Sequence, residues 1–174
     1  MNSNTAHAID GFALQAVFED VFYGAGVDFV FSGHVHAYER SCRVYKNACN
    51  SEGPYYITIG DGGNREGLAA VWQTPQPAWS VFRQASYGHG ELDVVNATHM
   101  HWTWHQNPDL EPEIADELWV VKGQQVAQGP NGGVTGIPTF KPGHNGDYCL
   151  STIYSDSKFP GLGAFPPLAS FIYI

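Results

Sequence analysis

Basic side chains are scarce in this chain: eight Lys and Arg stand against 17 Asp and Glu, for a formal net charge of −9. With no Lys/Arg cluster to neutralise a phosphate backbone, the charge argues against nucleic acid as the main partner. Long apolar runs are missing too. None approaches the ~20 residues of a membrane span, so no span is expected. Cysteine is sparse and odd in number. Of the three, Cys42 and Cys49 flank a short segment and could close a disulfide across a hairpin, leaving Cys149 unpaired. Three reduced thiols are the other arrangement open to the sequence. The remaining composition, 43% hydrophobic and 14% charged, is that of a globular chain. Its 174 residues suffice for one domain burying roughly two-thirds of its unfolded surface.

What is there begins with a strand. Val27 to Ser32 is a short apolar, β-rich run after the Gly24-Ala25-Gly26 break. Gly33 ends it and permits a sharp turn. His34 and His36 then project from the carboxyl end of a sheet, the ligand-binding edge of α/β folds. Neutral imidazole suits Zn and Fe, and two ligands from one short loop cost little extra ordering. Spacing alone also allows two unliganded histidines.

Residues 10–23 predict a helix, because Leu14, Val17, Phe18, Val21 and Phe22 fall on one apolar face. Asp10 is placed to cap it and Gly24 to stop it. Strands are expected at 41–46 and 54–60, then an irregular Gly/Pro-rich excursion over 61–78. Gly90 to His105 predicts a hairpin that turns near Asn96-Ala97 and buries Met100, Trp102 and Trp104. Ile114 to Val121 predicts a further strand. Residues 123–174 hold 15 Gly and Pro, and 122–174 is expected to be poorly ordered.

The run Gly33-His34-Val35-His36-Ala37-Tyr38-Glu39-Arg40-Ser41 resembles the last metal-binding motif of the purple acid phosphatases, within the calcineurin-like metallophosphoesterases. Gly60-Asp61-Gly62-Gly63-Asn64-Arg65-Glu66-Gly67 is similar to a downstream block of that family, as is Ser80 to Gly90 continuing through His99 to His105. Asn2-Ser3-Asn4 looks like the end of the family's proline-aromatic-Tyr-Asn-Ser stretch. The resemblance covers residues 2–121. The family's earlier motifs (an Asp, a Gly-Asp-x-x-Tyr, a Gly-Asn-His and a further His) do not occur. Residues 2–121 are therefore expected to be the carboxyl-terminal part of the domain, here a fragment lacking the upstream half and inactive alone. The implied fold class is α/β: the carboxyl-terminal half of a two-sheet sandwich, mostly β after an initial helix and strand. Without the upstream half, strand 27–32 is expected to be an edge strand that is apolar on both faces.

The resemblance implies acid phosphatase activity on small phosphate monoesters at a dinuclear centre, Fe(III) beside Zn, Mn or Fe(II). His34 would ligate the divalent ion, His36 the ferric ion, and His7 would protonate the leaving alkoxide. A frayed terminal histidine is the plainer reading of His7. Tyr38, Glu39 and Arg40 are placed to orient the ligating imidazoles, or else to form a surface ion pair beside a packed ring. Turn and capping duties are favoured for Asp61 and Asn64. The sequon Asn96-Ala97-Thr98 marks Asn96 for glycosylation and, with the family, points to a secreted protein whose signal peptide would lie upstream. Two rival functions stay open. One is a non-catalytic remnant or binding module that keeps the fold. The other is a single-zinc hydrolase built on His99, His101 and His105. A homo-oligomer is compatible with either.

Overall fold

Period-two alternation along short apolar runs sorts this chain into two sheets that share one core. A computed structural model describes residues 1–107, 113–122 and 171–173. Helix α1 (Phe12–Gly24) precedes β1 (Phe29–Ser32), β2 (Tyr38–Tyr45), β3 (Ala48–Cys49), β4 (Tyr55–Ile59) and β5 (Ser80–Gln84). Then come β6 (Gly88–Val94), β7 (His99–Gln106), β8 (Glu113–Val121) and β9 (Phe171–Tyr173). The larger sheet runs β3-β2-β4-β1-β9, with β5 also paired to β2, and the smaller runs β6-β7-β8. This is the mostly β, two-sheet arrangement that the sequence predicts.

Phe29, Tyr38, Tyr55 and Ile57 of the larger sheet pack against Met100, Trp102, Trp104, Leu118 and Val120 of the smaller. The opposite face of the larger sheet buries Val30, Cys42, Val44 and Tyr56 with Phe22 of α1. Phe29 and Val30 thus serve two different cores, as neighbours on a strand must. A disulfide joins Cys42 to Cys49, with Cα atoms 5.8 Å apart.

Two expectations are corrected. The stripe on α1 is not a buried face. Phe22 is its one buried residue, while Phe12, Val17 and Val21 are 60%, 65% and 59% exposed. Nor is β1 an edge strand. It lies parallel to β4 on one side and to β9 on the other, with Phe29 opposite both Tyr55 and Phe171. The expectation for 122–174 falls outside the described residues, apart from Lys122 and the strand Phe171–Tyr173.

Candidate functional site

The loop that leaves β1 lies against the end of β4, and Gly60 makes that closeness possible. A Cβ at position 60 would stand 2.2 Å from the Val35 carbonyl oxygen and 2.3 Å from that of Gly33. Any side chain there would push the loop outward.

His36 is three-quarters buried and held by the Gly-rich segment. Its Nδ1 donates to the Gly67 carbonyl at 3.2 Å, and its own carbonyl accepts from Ala69 N–H at 2.9 Å. Asn64 Oδ1 accepts from the N–H groups of Glu66 and Gly67 at 2.8 and 2.7 Å, fixing the turn that presents this carbonyl. A carbonyl can only accept, so Nδ1 carries a proton, and in the neutral ring the lone pair is then on Nε2. A ligating imidazole adopts this state.

His34 is exposed and faces another neighbour. Its Nε2 is 3.3 Å from Asp10 Oδ2, and its ring meets that of His7 edge-on at 5.0 Å. His7 Nδ1 lies 2.9 Å from the same Asp10 oxygen. The capping role expected for Asp10 is corrected, since Gly11 is the residue at the helix start and no side chain caps it. The carboxylate instead gathers two imidazoles. The bond from His7, supported by His34, holds the Asp10 carboxyl below its ordinary range.

Tyr38, Glu39 and Arg40 follow the histidines in sequence, yet β2 carries them away. The Tyr38 hydroxyl donates to Asp116 Oδ2 at 2.7 Å, and Arg40 donates from Nε and Nη2 to the two Asp116 oxygens at 2.6 and 2.8 Å. Trp102 Nε1 donates to the Tyr38 oxygen at 2.8 Å, and the Tyr38 ring stacks on Trp104 at 4.4 Å. Burial, with the Asp116 carboxylate adding to it, pushes the Tyr38 phenol well above its usual range. This cluster joins the two sheets. On the other face, Glu39 accepts from Ser3 N–H at 2.6 Å and from the hydroxyls of Ser3 and Ser80.

The expected orienting role for these three residues is corrected accordingly: their bonds run to Asp116, Ser3 and Ser80, because alternation turns them into the two cores. The alternative, a surface ion pair, is corrected too, because Arg40 and Asp116 are both buried.

The partners of several residues escaped the sequence reading. Glu39 anchors Ser3. Next to it, Asn4 donates from Nδ2 to the Ala69 carbonyl at 3.0 Å and accepts from Ala6 N–H at 3.1 Å. The segment carrying His7 is thereby tied to the segment that holds His36. The legible signal was the polar run Asn2-Ser3-Asn4, of which Ser3 and Asn4 are buried. The capping duty expected of Asn64 is observed, but that of Asp61 is corrected: its side chain is buried and accepts from Trp104 Nε1 of the smaller sheet at 2.8 Å, and burial raises its carboxyl.

Asn96 is exposed in the β6–β7 turn. The histidines of β7 do not converge: His101 pairs with Glu117, His105 with Glu91, and His99 with Thr98. Among the described residues the one set of three donors placed to share a cation is His7, Asp10 and His34, within 4.8 Å of one another.

These donors fit a borderline divalent ion, which accepts imidazole nitrogen and carboxylate oxygen. His36, whose Nδ1 is held by the Gly67 carbonyl, fits as a ligand through Nε2 on its own side of the loop. For a ferric ion the described surroundings offer fewer of the anionic oxygens it prefers, Asp10 and Glu66 being the nearby carboxylates.

Residues 53–117 match a family model described as iron/zinc purple acid phosphatase-like protein C. Purple acid phosphatase 18 of Arabidopsis thaliana is 57% identical over 119 residues, a stretch that is 68% of this chain and 27% of that protein. Purple acid phosphatase 1 of Ipomoea batatas is 50% identical over 131 residues, covering 69% of this chain and 28% of the relative. The chain thus spans about a quarter of the length of the curated relatives it matches. A solved purple acid phosphatase from yellow lupin (Lupinus luteus) seeds superposes with a TM-score of 0.54 at 23% identity. That match covers 60% of this chain and 19% of the other, and shows a shared fold.

Proposed function

We propose, from the premise that this chain carries the carboxyl-terminal part of a purple acid phosphatase, that it serves metal-dependent hydrolysis of phosphate monoesters under acidic conditions. The observation that carries this reading is His36. Its Nδ1 is held by the Gly67 carbonyl, which turns Nε2 to the ligating role, on a loop at the carboxyl end of a parallel strand.

His34 and His36 are then the ligands this chain contributes to a dinuclear centre, His34 toward a divalent ion (Zn, Mn or Fe) and His36 toward Fe(III). When bound, such a centre supplies Lewis acidity at the phosphoryl oxygens and acidifies water. The chain's own residues do the rest of its share. Asp10 holds the His7 ring through Nδ1 at 2.9 Å, which leaves Nε2 to carry a proton toward a departing alkoxide. Asp10 also offsets the positive charge of that imidazolium. Such general-acid help contributes about two to four decades of rate. Gly60, Asn64 and Gly67 position the loop and contact no substrate. The disulfide and the exposed Asn96 sequon support a secreted glycoprotein.

A chimera tests the reading. Residues 2–121 replace the matching region of Arabidopsis purple acid phosphatase 18, and turnover of an aryl phosphate is measured with iron and zinc supplied. The chimera is expected to be active. His36→Ala should abolish turnover, and His7→Ala should lower kcat by about two to four decades. This chain alone, with two imidazoles of the centre, should turn over slowly or not at all. A folded, metal-loaded but inactive chimera would overturn the enzymatic reading and leave a binding module that keeps the fold.

A further inference from the structure

Cationic side chains are few in this protein, and nearly every one that the structure describes is already engaged. Arg40 binds Asp116 and Arg43 binds Asp28, while Lys46 and Lys122 stand 3.9 and 3.7 Å from Asp20 and Asp28. Arg83 donates to the Ser3 hydroxyl at 2.9 Å and to the Gln73 carbonyl at 3.0 Å. Among the described residues, Arg65 is the one Lys or Arg whose side chain makes neither a hydrogen bond nor an ion pair, and it is exposed.

Its place in the fold gives that unpaired charge a use. Arg65 sits in the turn that Asn64 Oδ1 closes by accepting from the N–H groups of Glu66 and Gly67 at 2.8 and 2.7 Å. Both residues that follow it approach the His36 ring: the Gly67 carbonyl is 3.2 Å from Nδ1, and Glu66 Oε2 is 3.8 Å from the same atom. The neighbouring carboxylate therefore faces the histidine, and the guanidinium beside it keeps its full charge. A chain with a net charge of −9 repels anions at a distance, so an anionic ligand needs a local cation where it binds. A guanidinium is always charged, weakly hydrated, and shaped to meet two oxygens of one phosphate.

We propose that Arg65 receives a second phosphate group of the substrate, so that this site takes monoesters carrying two phosphates in preference to those carrying one. The inference rests on the phosphatase reading and adds a substrate class to it. The reacting phosphoryl group belongs beside the His34–His36 loop. The turn of Asn64 to Gly67 adjoins that loop, and the flexible stem of Arg65 gives its fork reach over the ground next to it. Arg65 takes no part in bond breaking; it pairs with the phosphate that does not react.

Resorcinol bisphosphate added to the unmodified, isotope-labelled 174-residue chain should shift the Arg65 Nε–H resonance. Those of Arg40, Arg43 and Arg83, already bonded, should stay in place, and phenyl phosphate at the same concentration should shift Arg65 less. The purple acid phosphatase 18 chimera then reports selection. Its kcat/KM for resorcinol bisphosphate is divided by that for phenyl phosphate, both substrates having phenolic leaving groups. Arg65→Gln should lower this ratio at least about tenfold, and Arg65→Lys, a point charge without the fork, should fall between. Added salt should lower the parent's ratio more than that of Arg65→Gln, which a merely structural role would not produce. An active chimera whose ratio is the same with and without Arg65 overturns the proposal and leaves the phosphatase reading intact. An even shift across all the arginines of the full chain overturns it too. A folded, metal-loaded but inactive chimera overturns the phosphatase reading itself, and the substrate class with it.

Discussion

Removing the Asp116 carboxylate should cost more than any exposed substitution in this protein, because it breaks a buried ion pair from one side only. Asp116 accepts three bonds, two from Arg40 and one from Tyr38, all between 2.6 and 2.8 Å. The Arg40 and Asp116 side chains are 5% and 6% exposed. In Asp116→Ala the guanidinium keeps its charge but loses the acceptor that offsets its desolvation. Breaking a buried pair this way costs about 3–5 kcal/mol. In a chain of this size, each kcal/mol moves the melting temperature by about 2–4 °C, which gives a fall of about 6–20 °C. Calorimetry and urea unfolding of the parent and variant measure it. The double variant Arg40→Met/Asp116→Leu removes both charges together and should recover most of the loss, since an apolar pair of similar volume can replace such a bridge. A loss below about 1 kcal/mol for Asp116→Ala, the range of an exposed pair, would refute the reasoning. So would a double variant no more stable than the single one.

Three further outcomes follow from the same geometry. Gly60→Ala places a Cβ 2.2 Å from the Val35 carbonyl oxygen, so the His34–His36 loop should move outward at a cost of about 1–3 kcal/mol. Circular dichroism should remain native while the activity of the chimera falls. Burial holds the Asp61 carboxyl above its ordinary range, so its ionisation disfavours the folded state as pH rises above the unfolded value of about 3.9. Asp61→Asn keeps an acceptor for Trp104 and should add on the order of 1 kcal/mol at neutral pH. Urea titrations should show that gain shrinking toward zero on acidification. Finally, burial raises the Tyr38 phenol and pushes Tyr56 up to about 12. Both hold their protons in the folded state where the unfolded chain loses them, so their contribution is complete below pH ~10 and is lost as pH climbs through the folded values. Tyrosinate absorbance should contain a step, from Tyr38 and Tyr56, that coincides with unfolding. A single smooth titration of all nine tyrosines near pH 10 would count against this.

Much of the fold was legible where one period operates over adjacent residues. Met100, Trp102 and Trp104 alternate with polar neighbours, and the hairpin they predict is the observed β6–β7 pair with Val94 opposite Met100. The His loop was legible because an apolar run, a glycine and two imidazoles follow one another directly. What sequence could not show was partnership at a distance. Arg40 finds Asp116 76 residues away, and nothing local to Arg40 distinguishes that from a surface pair. Asp10 has the position of a cap, yet two imidazoles brought by the fold compete for it and win. The stripe on α1 predicts a helix correctly but cannot say what lies beneath it. Of the described core, only the residues around Phe22 do. Gly67, whose carbonyl orients His36, looks like any other glycine in a Gly-rich run.

The pairing of β1 with β9 bears on the order in which this sheet assembles. Hairpins such as β6–β7 close over a few residues and form on a scale of about 1–10 μs. Phe29 and Phe171 are opposite one another although roughly 140 residues of chain separate them, and loop-closure entropy must be met before three short residue pairs return anything. Folding rate falls as such distant contacts accumulate. Everything else in the larger sheet is in place without β9, since β1 already has β4 beside it. By this accounting β9 docks after the two cores have formed. Its amides should exchange with solvent through a local opening of lower free energy than the one that frees β7. It is the strand the sheet gains last and releases first.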